Sequence, residues 1–180
     1  MKNMTVYGAI ILSVLISSCG RYQFHAQTMA RDFTTGRPVL VHDAGPVALK
    51  NGSSAAPGVE QVVCQMRSID VNTSIFDFTN ATIGTAKSAF QTLKVAVDDK
   101  AGKSLEFTIP RVVCDSGWRF NATVTLRVRT GSGLIKEYEG SEAVSTGYQI
   151  TSALETAMTQ GIDQMLNDKE IAAYLGNTGK

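Results

Sequence analysis

The chain is poor in the side chains that enzymes use most for proton transfer. His25 and His42 are its only imidazoles in 180 residues. Catalysis by a triad needs a nucleophile held against an oriented base, and nothing in the sequence marks one. Gly-x-Ser-x-Gly, His-Glu-x-x-His and a phosphate-cradling glycine loop are all missing. His42 stands beside Asp43 near a strand end and reads as a surface pair. Three cysteines without a Cys-x-x-Cys give no redox motif. Neither the histidine count nor the acid spacing forms a metal-ligand cluster, so no metal and no cofactor is expected. Charge of one sign is lacking too, with 17 basic against 16 acidic residues. A balanced chain has no global field to draw in nucleic acid. Arg127 and Arg129, which alternate on one strand, read as its solvated face. Glu137, Glu139 and Glu142 could in principle supply paired carboxylates for glycoside cleavage; their spacing reads instead as the wet face of one strand. No run of about twenty apolar residues is present, which a membrane-spanning helix needs.

What is present concentrates at the start. Lys2 precedes an apolar run from Val6 to Ile16, followed by Ser17, Ser18 and Cys19. A positive n-region, a short apolar h-region and small residues before a cut describe a secretory signal peptide. The run Ile16-Ser17-Ser18-Cys19 resembles the bacterial lipobox: an aliphatic residue, two small ones, then cysteine. The resemblance implies that the Cys19 thiol receives a diacylglycerol and becomes the first residue after cleavage. Several acyl chains on one residue anchor stably, because each buried methylene contributes about 0.8 kcal/mol. Gly20 stands where an aspartate would favour the inner membrane in such lipoproteins, which implies an outer-membrane, periplasm-facing location. Residues 1–18 are then the signal, 19–36 a lipidated N-terminus and flexible tether, 37–176 a single periplasmic domain and 177–180 a tail. Loss of Lys2 with the signal leaves 16 charges of each sign.

Cys64 and Cys114 remain. An even pair in an exported chain reads as a disulfide. Both follow Val-Val, in Gln61-Val62-Val63-Cys64 and Arg111-Val112-Val113-Cys114, and these β-prone contexts point to neighbouring strands or strand ends in one sheet. Closing a loop of about fifty residues is worth roughly 4 kcal/mol on the chain-entropy model.

Along the domain, Pro38–Val41 begins as a strand, and 51–58 is a loop rich in glycine, serine and proline. Val59 to Val71 resumes as a strand. Ile83, Ala86, Phe90, Leu93 and Val97 fall at helical spacing, with Asn80 as a candidate cap. Leu93, Val95 and Val97 also alternate, as do Leu105, Phe107 and Ile109, so a hairpin competes. The stretch reads as helix giving way to strand near Leu93. Phe120 to Val128 alternates as a half-buried strand. It turns at Gly131-Ser132-Gly133 and returns over Leu134–Val144. Ile150, Ala153, Leu154, Ala157, Met158, Ile162, Met165 and Leu166 trace one face of a helix from about Tyr148 to Asn167. Asp168 caps a short last helix to Leu175. A one-sided helix needs a sheet to cover, so the expected fold is α+β: an antiparallel or mixed sheet covered on one face by an amphipathic C-terminal helix.

The layout from Arg119 onward carries a second resemblance. The wet strand Arg119-Phe-Asn-Ala-Thr-Val-Thr-Leu-Arg-Val, a glycine turn and Lys136-Glu-Tyr-Glu-Gly lead to a helix ending in Leu166-Asn-Asp-Lys-Glu-Ile-Ala-Ala-Tyr-Leu. This is similar to the C-terminal part of YajG-type outer-membrane lipoproteins, and more loosely to the N-terminal domain of TolB. The resemblance implies a non-enzymatic, lipid-anchored protein that binds or supports another component of the cell envelope, with no functional residue carried over. An accessory subunit of a secretion, pilus or transport assembly is the first alternative. A cell-wall-acting enzyme is the second.

Overall fold

The computed structural model describes residues 20–29, 33, 39–66 and 69–176. Cys19, the signal and the tail therefore lie outside the described residues. The fold is α+β, with seven strands in two mixed sheets and three α-helices among the described residues.

The larger sheet is built on β5, Lys103–Ser116, the longest strand. Its first half pairs in parallel with β2, Val47–Asn51. Its other side pairs with β6, Phe120–Thr130, and β6 pairs with β7, Ile135–Val144. The order is β2-β5-β6-β7. The expected 120–144 hairpin is present. Leu126, Val128 and Tyr138 are buried on one face, and Arg127, Arg129, Glu137 and Glu139 are exposed on the other. The smaller sheet has the order β1-β4-β3: β1 (Gly20–Gln23), β4 (Ile69–Ser74) and β3 (Glu60–Met66). β1 runs parallel to β4, and β3 antiparallel to it.

Three expectations change here. The stretch read as one strand, Val59 to Val71, is the antiparallel pair β3 and β4, because its β-branched residues are shared between two short strands. Val39 to Val41 forms no strand; Val41 is buried and its amide donates to the Leu166 carbonyl, while Val39 is half-buried and Leu40 exposed. Pro38 lies outside the described residues. The segment read as a flexible tether is in part built into the fold: Gly20–Gln23 is β1, and Phe24 is 1% exposed, edge-on to Phe78 at 5.1 Å. Farther along, the Met29 amide donates to Thr85 Oγ1.

The ambiguous middle is helix α1, Ile75–Thr92, with Ser74 as its cap rather than Asn80. Threonine weakens helices when its hydroxyl competes for the backbone. In α1 the hydroxyls of Thr79, Thr82, Thr85 and Thr92 each donate to the carbonyl one turn back, so they are satisfied within the helix. Gly84, a poor helix former, gives room: a Cβ there would press on the Thr28 side chain. The chain leaves α1 through Lys94 in the left-handed region, φ 57°. Val97 then bridges to Val47, so no hairpin forms with β5.

Helix α2, Ile150–Leu166, carries the expected apolar face, all of it buried, and packs on β6 and β7. It serves two cores. Ile162, Met165 and Leu166 join one with Phe90, Leu105 and Phe107. Ile150, Leu154 and Met158 join the other with Phe24, Phe78 and Val124. Helix α3, Lys169–Leu175, is capped by Asp168 as expected. The Tyr174 hydroxyl accepts from the Ser104 and Gly131 amides, tying α3 to the larger sheet.

Candidate functional site

Cys64 and Cys114 form a disulfide with Cα atoms 5.4 Å apart. They do not share a sheet. Cys64 is on β3 of the smaller sheet and Cys114 on β5 of the larger one, so the bond fastens one sheet to the other. Periodicity predicts strands but not which sheet a strand joins, and this is where the one-sheet expectation fails.

From that bond the two strands separate. Among the described residues β3 pairs only with β4, and β2 leaves the flank of β5 after the Asn51–Phe107 pair. Between them opens a cleft of about 640 Å³. Gln61, Val62 and Val63 form one wall; Thr108 to Val112 form the other, with Arg127 beside them and the loop from Gly52 to Ala55 at the far end. The β5–β6 register shifts between Thr108 and Arg111, a bulge that holds Pro110. Proline cannot donate to a ladder, so it belongs where a strand flank is unpaired. Its place just after the alternating Leu105, Phe107 and Ile109 was the one sequence signal for this cleft. Val62 is 54% exposed, although it is an aliphatic residue on a strand.

The lining offers hydroxyls, one side-chain amide and two guanidiniums. Arg127 is committed: its guanidinium pairs with Glu137 at 2.6 Å. Arg111, exposed, makes no ion pair among the described residues. Strand flanks and a free guanidinium suit an extended chain bearing an acceptor or a negative group.

The other residues singled out by sequence lie elsewhere. His42 Nδ1 is 3.4 Å from Asp43, both exposed, a surface pair. His25 is exposed next to buried Phe24. Glu137 and Glu139 are on the solvent face as expected, but Glu142 is not. It shares the helix-facing side with Tyr138 and Gly140 and accepts a long hydrogen bond from Gln160 of α2, because its offset from Glu139 is odd. No group of three or more His, Cys, Asp or Glu that could hold a metal occurs among the described residues. Likewise, no helix there is long and apolar enough to cross a membrane.

One polar cluster was not foreseen. Lys136 pairs with Glu170 and reaches Asp168 at 3.6 Å. Its ammonium is held above the usual value, chiefly by the Glu170 hydrogen bond. Burial, with Asp168 adding to it, pushes the Tyr138 phenol far up. That hydroxyl lies beside Asp168 without a hydrogen bond of ordinary geometry. Charge alternation at Lys136-Glu-Tyr-Glu shows in the sequence; the meeting with α3 does not.

Among solved structures, protein XCC0632 from Xanthomonas campestris, which carries the family designation DUF330, matches with a TM-score of 0.48 and 16% identity. The match covers 85% of this chain and 95% of that one. A second crystal structure, of an uncharacterized protein, matches with a TM-score of 0.36 and 11% identity, over 86% and 97%. No family model and no curated protein matches the sequence.

Proposed function

We propose that this chain is a lipid-anchored outer-membrane lipoprotein, facing the periplasm, that acts without catalysis by binding another envelope component. The cleft between β3 and β5 is where it would take an extended segment of that partner. The observation that carries the binding half is the pair of strand flanks that have no strand partner among the described residues, on the two sides of an open cleft. Main-chain groups there can accept a partner strand, and side chains such as Val62 and Arg111 select it. Among the described residues the lining holds hydroxyls, one side-chain amide and two guanidiniums, and no carboxylate, imidazole or thiol. That composition suits holding a chain rather than cutting one. The anchoring half rests on Ile16-Ser17-Ser18-Cys19, and the inter-sheet disulfide fits an oxidising compartment.

The test is mild crosslinking in cells followed by purification of the chain. Wild type should bring down a defined component, and Val62→Asp with Arg111→Glu should lose it while the protein stays folded. Equal recovery with the double variant would remove the cleft from the proposal. Recovery of a stoichiometric set of machine components would place the chain as an accessory subunit of an assembly. Cys19→Ala should release the protein from the membrane fraction, and unchanged fractionation would count against the anchor.

A further inference from the structure

Three distant stretches of sequence meet at one end of the molecule. β1 starts at Gly20, the residue after Cys19, and the hydroxyl of Tyr22 lies 2.6 Å from that of Thr151 in the first turn of α2. The short 3-10 turn Gly147–Gln149 leads into that helix. A Cβ at Gly147 would stand 3.5 Å from the Phe120 ring. Phe120 opens β6, opposite Ser116, and closes the hairpin whose tip is Gly117-Trp118-Arg119. The disulfide gives the direction. Gln61–Val63 lie across the cleft from Thr108–Val112 and Cys64 is bonded to Cys114, so β3 and β5 advance together towards Met66 and Ser116. Met66 pairs with Ile69, and Ile69 with Gly20. The chain's entry point, the hairpin tip and the turn before α2 therefore share a pole.

Two aromatic side chains stand at this pole in full solvent. Trp118 is 104% exposed and Tyr148 94%, whereas Phe24, Phe78, Phe90 and Phe107 are buried. The fold gains nothing from leaving an indole and a phenol there. Among the described residues at this end charge is balanced: Arg21 and Arg119 are exposed, as is Asp115, and Asp70 is half-buried.

We propose that this pole rests on the bilayer that receives the acyl chains of Cys19, with Trp118 and Tyr148 as anchors in the headgroup layer. The inference rests on the lipid-anchor reading above. Indole and phenol rings favour that layer because an apolar body and a polar tip match its gradient. A single contact of this kind is weak, but the anchor holds the pole against the surface at high effective concentration. With charge balanced among the described residues of the pole, the docking is aromatic rather than electrostatic, so salt should change it little. The pose also orients the cleft. It opens on the far side of the disulfide, with the 52–55 loop at its outer end, so it would face away from the membrane.

Trp118 is the chain's only tryptophan, so its own emission reports the pose. The acylated chain, purified from membranes, is reconstituted in phosphatidylcholine vesicles with and without brominated acyl chains. Flotation reads the anchor. Emission should move to shorter wavelength and fall about twofold with brominated lipid, as expected of an indole in the headgroup layer. High salt should leave that loss in place. Tyr148→Ser should reduce the quenching without changing flotation, and neither exposed site is needed for folding. A chain that floats while its emission stays water-like and unquenched would overturn the docking and spare the anchor; the exposed pole would then await a protein. A chain that does not float would overturn the anchor and the docking with it.

Discussion

Each sheet joins a local hairpin to one distant parallel strand, but in different shares. The four-stranded sheet grows mostly from neighbours in sequence: β5, β6 and β7 follow one another through short turns. The three-stranded sheet needs a parallel pairing of β1 with β4 across much of the N-terminal half, and it is fastened to its neighbour by a disulfide. Local pairing closes small loops at little entropic cost, whereas distant pairing closes large ones before any contact repays them. The first sheet should therefore hold on its side-chain packing, and the second should depend on a covalent pin and on its N-terminal plug. Both lean on α2, whose two halves face the two cores.

That shared helix gives the largest expected effect. Leu154 is fully buried. Leu154→Asp would place an unpaired charge among Phe78, Val124 and Met158, a penalty of about 4–5 kcal/mol or more. The whole domain should lose its cooperative melting transition, both sheets together. A soluble variant with one sheet intact would break the claim that α2 unites them.

Phe24→Ala separates the sheets. It removes a buried ring that packs edge-on against Phe78, at a cost of about 3–5 kcal/mol. Amide exchange should rise first in β1, β4 and β3, with β5 to β7 still protected. Uniform loss of protection would show one cooperative unit instead. The serine pair Cys64→Ser with Cys114→Ser should cost about 2–4 kcal/mol, again falling mainly on the smaller sheet. Equal protection of the two sheets in that variant would refute the pinning role.

The same contrast explains what the sequence revealed. The hairpin from Phe120 to Val144, helix α2 and the Asp168 cap show in local pattern, since pleat, helical period and capping act over a few residues. The disulfide partners follow from the count of two cysteines left when the chain is read as exported. β1 did not show, because Gly20-Arg-Tyr-Gln is polar, and a four-residue strand pairing with residues near position 70 leaves no local trace. The sheet change at Cys64 was invisible for the same reason: alternation fixes a face, not a neighbour. α1 was obscured by Gly84 and four threonines, whose accommodation depends on Thr28 and on carbonyls a turn away. As for the site, Pro110 inside an alternating run is a local hint of an unpaired flank from which no expectation was drawn, and the opposite wall is set by tertiary packing alone.

The smallest effect belongs to the far end of the larger sheet. Asp168 caps α3, accepting from the Glu170 amide at 2.8 Å and the Ile171 amide at 3.2 Å. Burial works to raise its carboxyl. The two amides, Tyr138 and Lys136 together outweigh that, so it sits below the usual carboxylate value. A folded-state pKa lowered in this way gives stability above the unfolded value, near 3.8, and loses it as pH falls through the folded one. Asp168→Ala should therefore cost about 1 kcal/mol at neutral pH, read as a lower melting temperature, and the gap to wild type should narrow in acid. Asp168→Asn keeps a capping oxygen and should flatten the pH dependence at a smaller neutral cost. Acid should also loosen α3 against β5 and β6 before it touches β1, β4 and β3. An alanine penalty unchanged by acid would mean that the cap acts without its charge, and the larger sheet would then have no acid-sensitive end to set it apart from the smaller one.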